Sequence, residues 1–154
     1  MLLNVPFGIV IFHHLGWIYI LYVLVLECVL TAKYLNGKYQ FDRRISASVI
    51  VGNIVSGIVG IIASILATGG WWLVLWIPLV SGNEISAGDP MAWLGLTLYY
   101  LIAFIISVAL ESLVNLGILH GHYTNRMIVR STIKANVVSY LTGSVAIYFI
   151  AFGL

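Results

Sequence analysis

The fold of this protein is decided by the stretch from Leu26 to Ser56, which reads LECVLTAKYLNGKYQFDRRISASVIVGNIVS. An apolar run containing Glu27 ends at Asn36-Gly37, a dipeptide typical of a helix C-terminus. A short basic connection follows, and a second apolar run then carries Asn53. This pattern predicts two helices joined by a tight turn, that is, a helical hairpin.

The hairpin occurs twice in the chain. Placing Glu27 over Glu111 also aligns LNGKY, residues 35–39, with LHGHY, residues 119–123. After one residue is dropped, the match continues through Arg43 with Arg126, Ser48 with Ser131, Asn53 with Asn136, Ser56 with Ser139 and Gly60 with Gly143. The repeat predicts two hairpins in the same orientation, related by an axis along the membrane normal.

Composition indicates a membrane protein. Hydrophobic residues make up 62% of the 154 residues and charged residues only 8%, whereas a soluble domain has about 25% charged residues. A spanning helix needs about 20 mainly apolar residues, and four stretches qualify, roughly 12–35, 45–68, 91–119 and 128–152. The third begins after Asp89-Pro90, a typical helix start.

We therefore predict an all-α integral membrane protein with four transmembrane helices in a single domain over residues 1–154. The first hairpin repeat covers 9–69, an outer aromatic segment covers 70–90, and the second hairpin repeat covers 91–154.

The basic residues predict the orientation. All seven lie in or beside two short connections: Lys33, Lys38, Arg43, Arg44, Arg126, Arg130 and Lys134. Because basic loops stay in the cytoplasm, we expect both connections inside and both termini outside. The expected location is a bacterial inner (plasma) membrane or a thylakoid membrane.

An aromatic segment, residues 71–80 with the sequence WWLVLWIPLV, is too short to span and contains Pro78. Trp71, Trp72 and Trp76 indicate an interfacial or re-entrant stretch on the outer side. One interpretation is an aromatic anchor at the membrane surface, and the other is a docking surface for a partner subunit or a lipid head group.

Each hairpin places a glutamate and an asparagine at matched depth, Glu27 with Asn53 and Glu111 with Asn136. A charge at that depth costs at least ~2.5–3.5 kcal/mol. A protonated glutamate that donates to the asparagine carbonyl, and accepts from its NH₂ group, avoids most of this cost. Three interpretations stay open: a structural clamp, a proton or ion site, and a contact with a pigment, lipid or partner helix.

Small residues recur along the even-numbered helices: Gly52, Ser56, Gly60 and Ser64 in the second, and Ala135, Ser139 and Gly143 in the fourth. Such faces allow close backbone approach in a membrane. We therefore expect helices two and four to be in close contact, with helices one and three supplying the glutamates from the sides.

The third helix has a polar stripe formed by Thr97, Tyr100, Ser107, Glu111 and Asn115. If one half of the chain binds a ligand or a partner, we expect it to be the second half. Tyr100, Ser107 and Asn115 are the candidates for contact with a partner.

The sequence does not predict an enzyme. It has one cysteine, Cys28, while His120 and His122 offer two metal ligands without a nearby third, so no metal site is predicted. No nucleophile or phosphate-loop motif occurs, the net charge of +2 does not indicate nucleic-acid binding, and no particular cofactor is indicated.

The stretch 41–56, FDRRISASVIVGNIVS, follows a helix that carries Glu27 and resembles the small filament-integrity membrane proteins of cyanobacteria, which contribute to septal cell–cell junctions. In that family too, an intramembrane glutamate precedes a basic FD-[KR]-[KR] loop and a helix with asparagine and a small residue three positions on. The likeness covers roughly residues 20–65. It implies a non-enzymatic role in a multi-protein assembly and no catalytic residue.

The predicted function is a non-catalytic structural or accessory subunit of a membrane complex, which anchors its partners through helix faces. Its partners would be membrane lipid and other membrane protein subunits, or further copies of itself. An alternative is a small oligomeric proton- or ion-coupled transporter or channel built on the Glu/Asn pairs. Binding of a pigment or lipid is a third hypothesis.

Overall fold

A computed structural model describes residues 14–68 and 90–152 of the chain. These residues form four helices: α1 (His14–Asn36), α2 (Arg43–Thr68), α3 (Pro90–Leu119) and α4 (Asn125–Phe152). The described ranges contain no strand, so the all-α prediction with four helices is confirmed. Helix α3 begins at Pro90 as predicted, whereas α2 and α4 begin slightly before their predicted starts.

The two hairpin turns share one design. Gly37 follows α1 with φ +74°, and Gly121 follows α3 with φ +88°. Only glycine adopts this left-handed conformation without a steric penalty. The N–H of Gly37 donates to the Lys33 carbonyl at 2.8 Å, and the N–H of His122 donates to the Leu119 carbonyl at 3.1 Å. The helix ends predicted at these glycines are confirmed.

Side-chain caps account for the early starts of α2 and α4. The Asp42 carboxylate accepts the backbone N–H of Arg44 at 3.0 Å and that of Ile45 at 3.1 Å. At the start of α4, the Thr124 hydroxyl accepts the backbone N–H of Met127 at 3.4 Å. Each cap satisfies N–H groups that a helix leaves without a partner in its first turn.

The helices pack in a ring in chain order. Extensive contacts join α1 with α2, α2 with α3, α3 with α4, and α4 with α1. Both turns lie at the same end of the bundle, because the Tyr123 hydroxyl in the second turn donates to Asn36 Oδ1 at the end of α1, at 2.5 Å. The predicted close contact between helices two and four is wrong, since α2 and α4 occupy opposite corners of the ring.

The core has three layers along the bundle. Near the turns, an apolar layer contains Cys28, Ala32, Leu35, Ile45, Val49, Leu119 and Ile128. On the far side of the middle, an aromatic layer contains Val23 and Tyr140, with Tyr100 and Phe104 packed against them. The Tyr140 ring lies 5.0 Å from that of Tyr100 and 4.7 Å from that of Phe104. Between the two lies a layer of buried polar side chains that includes both glutamates.

One segment of the described residues, Tyr100–Leu119, is long and apolar enough to cross a membrane. It lies in α3 and carries one of the two buried glutamates.

At Gly52 the backbone of α2 packs closely against α3. A Cβ atom added to Gly52 would lie 3.4 Å from Glu111 Cγ and 3.5 Å from Glu111 Cα. The small-residue face of α2 therefore permits a close approach, as predicted, but the approach is to α3. Its counterpart in the repeat, Ala135, is also buried.

We expect Gly52→Ile to destabilise the bundle by about 1–3 kcal/mol, because a branched side chain overpacks the contact with Glu111. Gly52→Ala should be tolerated, since its Cβ reaches ordinary van der Waals distance. The measurement is unfolding of the purified protein in micelles by added SDS, followed by circular dichroism. Gly117→Ile is the matched control, because nothing lies within 4 Å of a Cβ there; an equal loss in both isoleucine variants would contradict the close approach.

Candidate functional site

Glu27 is buried in the middle of the bundle, with only 1% of its surface exposed. Asn53 of α2 donates from Nδ2 to its Oε2 at 2.7 Å. Ser139 of α4 donates from Oγ to its Oε1 at 2.5 Å. The carboxyl of α1 is thus held by both neighbouring helices of the ring.

Glu111 of α3 has the same environment. Asn136 of α4 donates from Nδ2 to its Oε2 at 2.7 Å, and Ser56 of α2 donates from Oγ to its Oε1 at 3.2 Å. The hydrogen bonds of the two glutamates are therefore equivalent: α1 corresponds to α3, and α2 corresponds to α4.

The structure brings together each predicted Glu/Asn pair and adds a serine that the sequence interpretation assigned only to helix packing. The signal was present, because in both repeats the serine stands three residues after the asparagine and so shares its helix face. What the repeat alone did not show is that each serine bonds to the glutamate of the other hairpin.

The asparagines do not form the two-way pair with the glutamates that we predicted. Besides bonding to the carboxyl, Asn53 Nδ2 donates to the Val49 carbonyl at 3.0 Å, and Asn136 Nδ2 donates to the Thr132 carbonyl at 3.2 Å. Each amide nitrogen therefore uses both of its hydrogens. The Oδ1 atoms of Asn53 and Asn136 are buried without a hydrogen-bond partner among the described residues.

A second polar network lies one helical turn nearer to the turns and involves the second repeat. Asn115 of α3 accepts from Ser48 of α2 at 2.5 Å and donates to the Thr132 hydroxyl of α4 at 2.9 Å. The first repeat has Thr31 and Val49 at the corresponding positions. The greater polarity of the second half thus serves to link three helices.

The predicted partner contacts on α3 are wrong for two of the three residues. Ser107 exposes 0% and Asn115 exposes 2% of its surface, so both face the bundle interior and neither can touch a partner. Tyr100 is half-buried and donates from its hydroxyl to the Tyr140 carbonyl at 2.8 Å. Thr97, which we placed on the same stripe, is exposed. The stripe faces inward because its carboxyl and amide need donors and acceptors from α2 and α4.

The small residues predicted for helix packing are buried where the structure describes them: Gly52, Ser56, Gly60, Ala135, Ser139 and Gly143. The side chain of Ser64 lies outside the described residues, and so do Trp71, Trp72 and Trp76 of the aromatic segment.

Neutral groups make all the hydrogen bonds to the two carboxyls that the structure describes. The donors are two amides and two hydroxyls. Hydrogen bonds of this kind hold a carboxyl in place, and they can accommodate it with or without a proton. The site therefore has the chemistry of a polar clamp or of a proton site.

Comparison with known proteins gives no match to a family model, to a curated protein sequence or to a solved structure.

We expect Asn136→Ala to destabilise the bundle by about 1–3 kcal/mol, because it leaves the buried Glu111 carboxyl with a single donor. Asn115→Ala should cost about 1 kcal/mol, since it removes two hydrogen bonds that average ~0.6 kcal/mol each in a membrane. Both are measured by SDS-induced unfolding in micelles.

Asn125→Ala is the control for these two variants, because Asn125 is exposed on the first turn of α4. A surface change of this kind should stay within about 0.5 kcal/mol of the parent. If Asn125→Ala and Asn136→Ala gave equal losses, the clamp would not contribute to stability.

Proposed function

We propose that this chain is a four-span membrane protein that acts as a non-catalytic subunit of a larger membrane complex, in a bacterial plasma or thylakoid membrane. The observation that carries the proposal is the distribution of polarity. The carboxyls, amides and most of the hydroxyls of the middle layer are buried, whereas large apolar side chains cover the outside.

The outward faces of the helices are apolar over several turns. On α3, Leu98, Leu101, Ile105 and Leu113 each expose more than half of their surface. Helix α2 shows the same pattern, with Ile54, Ile58 and Ile62 among its exposed side chains. Contiguous apolar surface of this extent is rare on soluble monomers and typical of contact with lipid or with partner helices.

The basic residues lie at one end of the bundle. Six basic residues in or near the two turns are exposed: Lys38, Arg43, Arg44, Arg126, Arg130 and Lys134. The aromatic side chains of Tyr39 and Phe41 are exposed at the same end, by 67% and 64%. Aromatic residues favour either membrane surface and basic residues favour the cytoplasmic one, which supports placing both termini on the opposite side.

A subunit role is favoured because both carboxyls are buried and are held by side chains of the bundle itself, so a partner cannot contact them. Contacts with other proteins then fall to the apolar helix faces and to the basic end, since these are the surfaces that remain exposed. The resemblance of residues 20–65 to filament-integrity membrane proteins also supports a place in a multi-protein assembly. Further copies of this chain are an alternative occupant of the same helix faces.

The orientation predicts the result of reporter fusions at each end and in each turn. Alkaline phosphatase, which folds in an oxidising compartment, should be active when it is fused after Leu154 and inactive when it is inserted after Lys38 or His122. Green fluorescent protein should show the opposite pattern. Phosphatase activity at either turn would contradict the four-span orientation.

The subunit role predicts that other proteins co-purify with the tagged chain in a mild detergent. We expect the complex to exceed the mass of the monomer with its detergent, as measured by light scattering, and to contain other membrane proteins by mass spectrometry. Arginine substitutions at Leu101 and Ile105 on the outer face of α3 should reduce the amount of co-purifying protein. Arg130→Lys is the conservative control and should leave that amount unchanged. If the parent chain itself runs as an isolated monomer, as the arginine variants do, the subunit role is wrong.

A further inference from the structure

Ser139 stands between two acceptors. Its Oγ atom lies 2.5 Å from Glu27 Oε1 and 3.0 Å from the backbone carbonyl oxygen of Asn136. A serine hydroxyl has a single hydrogen and two lone pairs. Ser139 can therefore donate to the carboxyl or to the backbone carbonyl, but not fully to both.

Ser56 stands in the same position in the other half. Its Oγ atom lies 3.2 Å from Glu111 Oε1 and 3.1 Å from the backbone carbonyl oxygen of Asn53. When the carboxyl is ionised, the serine hydrogen turns to it. When the carboxyl is protonated, the acid donates to Oγ and the serine donates to the backbone. Both arrangements use the same heavy-atom positions, and only a hydroxyl rotates.

The asparagine oxygens add an independent sign that this layer takes up a positive ligand. Asn53 and Asn136 each expose 1% of their surface, and both Oδ1 atoms lack a donor among the described residues. Each oxygen belongs to the amide whose nitrogen donates to a carboxyl, so it lies in the same layer of the bundle. Rotating the amide does not help, because Oδ1 would then face the carbonyl of Val49 or Thr132.

The layer thus has more hydrogen-bond acceptor oxygens than donor hydrogens. Its own titratable groups are the two carboxyls. Tyr140 of α4 and Tyr100 of α3 adjoin it from the aromatic layer, and Cys28 of α1 adjoins it from the apolar layer. Helix α2 contributes an amide and a hydroxyl, and no lysine or arginine donates to the carboxyls within the described residues. A proton bound to a carboxyl adds one donor hydrogen to this layer and needs no larger space.

We propose that the paired glutamates form a proton-binding site in which Glu27 and Glu111 each take up and release one proton, with Ser139 and Ser56 as the hydroxyls that rotate. Uptake forms one O–H bond on a carboxylate oxygen, and release breaks it, so no oxidant or reductant is needed. Proton binding here is independent of the subunit role, since it depends only on the interior of the bundle.

Infrared difference spectroscopy tests this on the full chain in lipid nanodiscs. The chain has only five acidic side chains, so the C=O stretching bands of protonated carboxylic acids can be assigned by substitution. We expect such bands, their shift in deuterated water, and their conversion to carboxylate bands as the pH is raised. Glu27→Gln and Glu111→Gln should each lose one band, and the double variant should lose both.

The serines give the readout that a purely structural role would not move. Ser139→Ala should shift the Glu27 band and Ser56→Ala the Glu111 band, because each acid loses its hydrogen-bond acceptor. Ser144→Ala is the matched control, since its hydroxyl also donates to a carbonyl three residues earlier, that of Leu141, but it is exposed. If a glutamine variant fails to fold, Glu27→Asp keeps the acid and should move the band by withdrawing it from Ser139.

Three outcomes would overturn the proposal. The first is the absence of acid bands at every pH at which the protein stays folded, or acid bands that never convert to carboxylate. The second is a pair of acid bands that the two serine variants leave unchanged. The third is a titration midpoint that moves when sodium chloride replaces choline chloride, because a sodium ion would then be the ligand.

Discussion

The structure depends on placing two carboxyls in the centre of a helical bundle. A buried carboxyl needs hydrogen-bond donors around it, because its desolvation is otherwise too costly. Here each carboxyl takes one donor from its own hairpin and one from the other hairpin. Neither hairpin is therefore complete by itself, and the ring of four helices is the smallest unit that satisfies both glutamates.

This exchange of serines explains the packing of the ring. Ser139 must reach Glu27, so α4 lies against α1, and Ser56 must reach Glu111, so α2 lies against α3. Gly52 then has to be small, since it lies against the backbone and side chain of the glutamate residue. The small residue at this position thus permits the close approach of α2 to Glu111.

The two repeats have the same residues in the middle layer of the bundle and differ nearer to the turns. The glutamate, asparagine and serine occur in both halves, whereas Asn115 and Thr132 stand in the second half where the first has Thr31 and Val49. The added pair links α2, α3 and α4 below the central layer. The extra polarity therefore lies in the interior, and the exposed helix faces remain apolar.

The sequence by itself determined the four helices, the turns at Gly37 and Gly121, the repeat, and the pairing of each glutamate with the asparagine of its own hairpin. These follow from local rules, since apolar runs, helix-ending glycines and matched spacing act within one hairpin. Only the tertiary structure decided which helices are neighbours and which serine serves which glutamate. It also decided that Ser107 and Asn115 face inward. Those features depend on the rotation of one hairpin relative to the other. The periodicity of a single helix carries no information on that rotation.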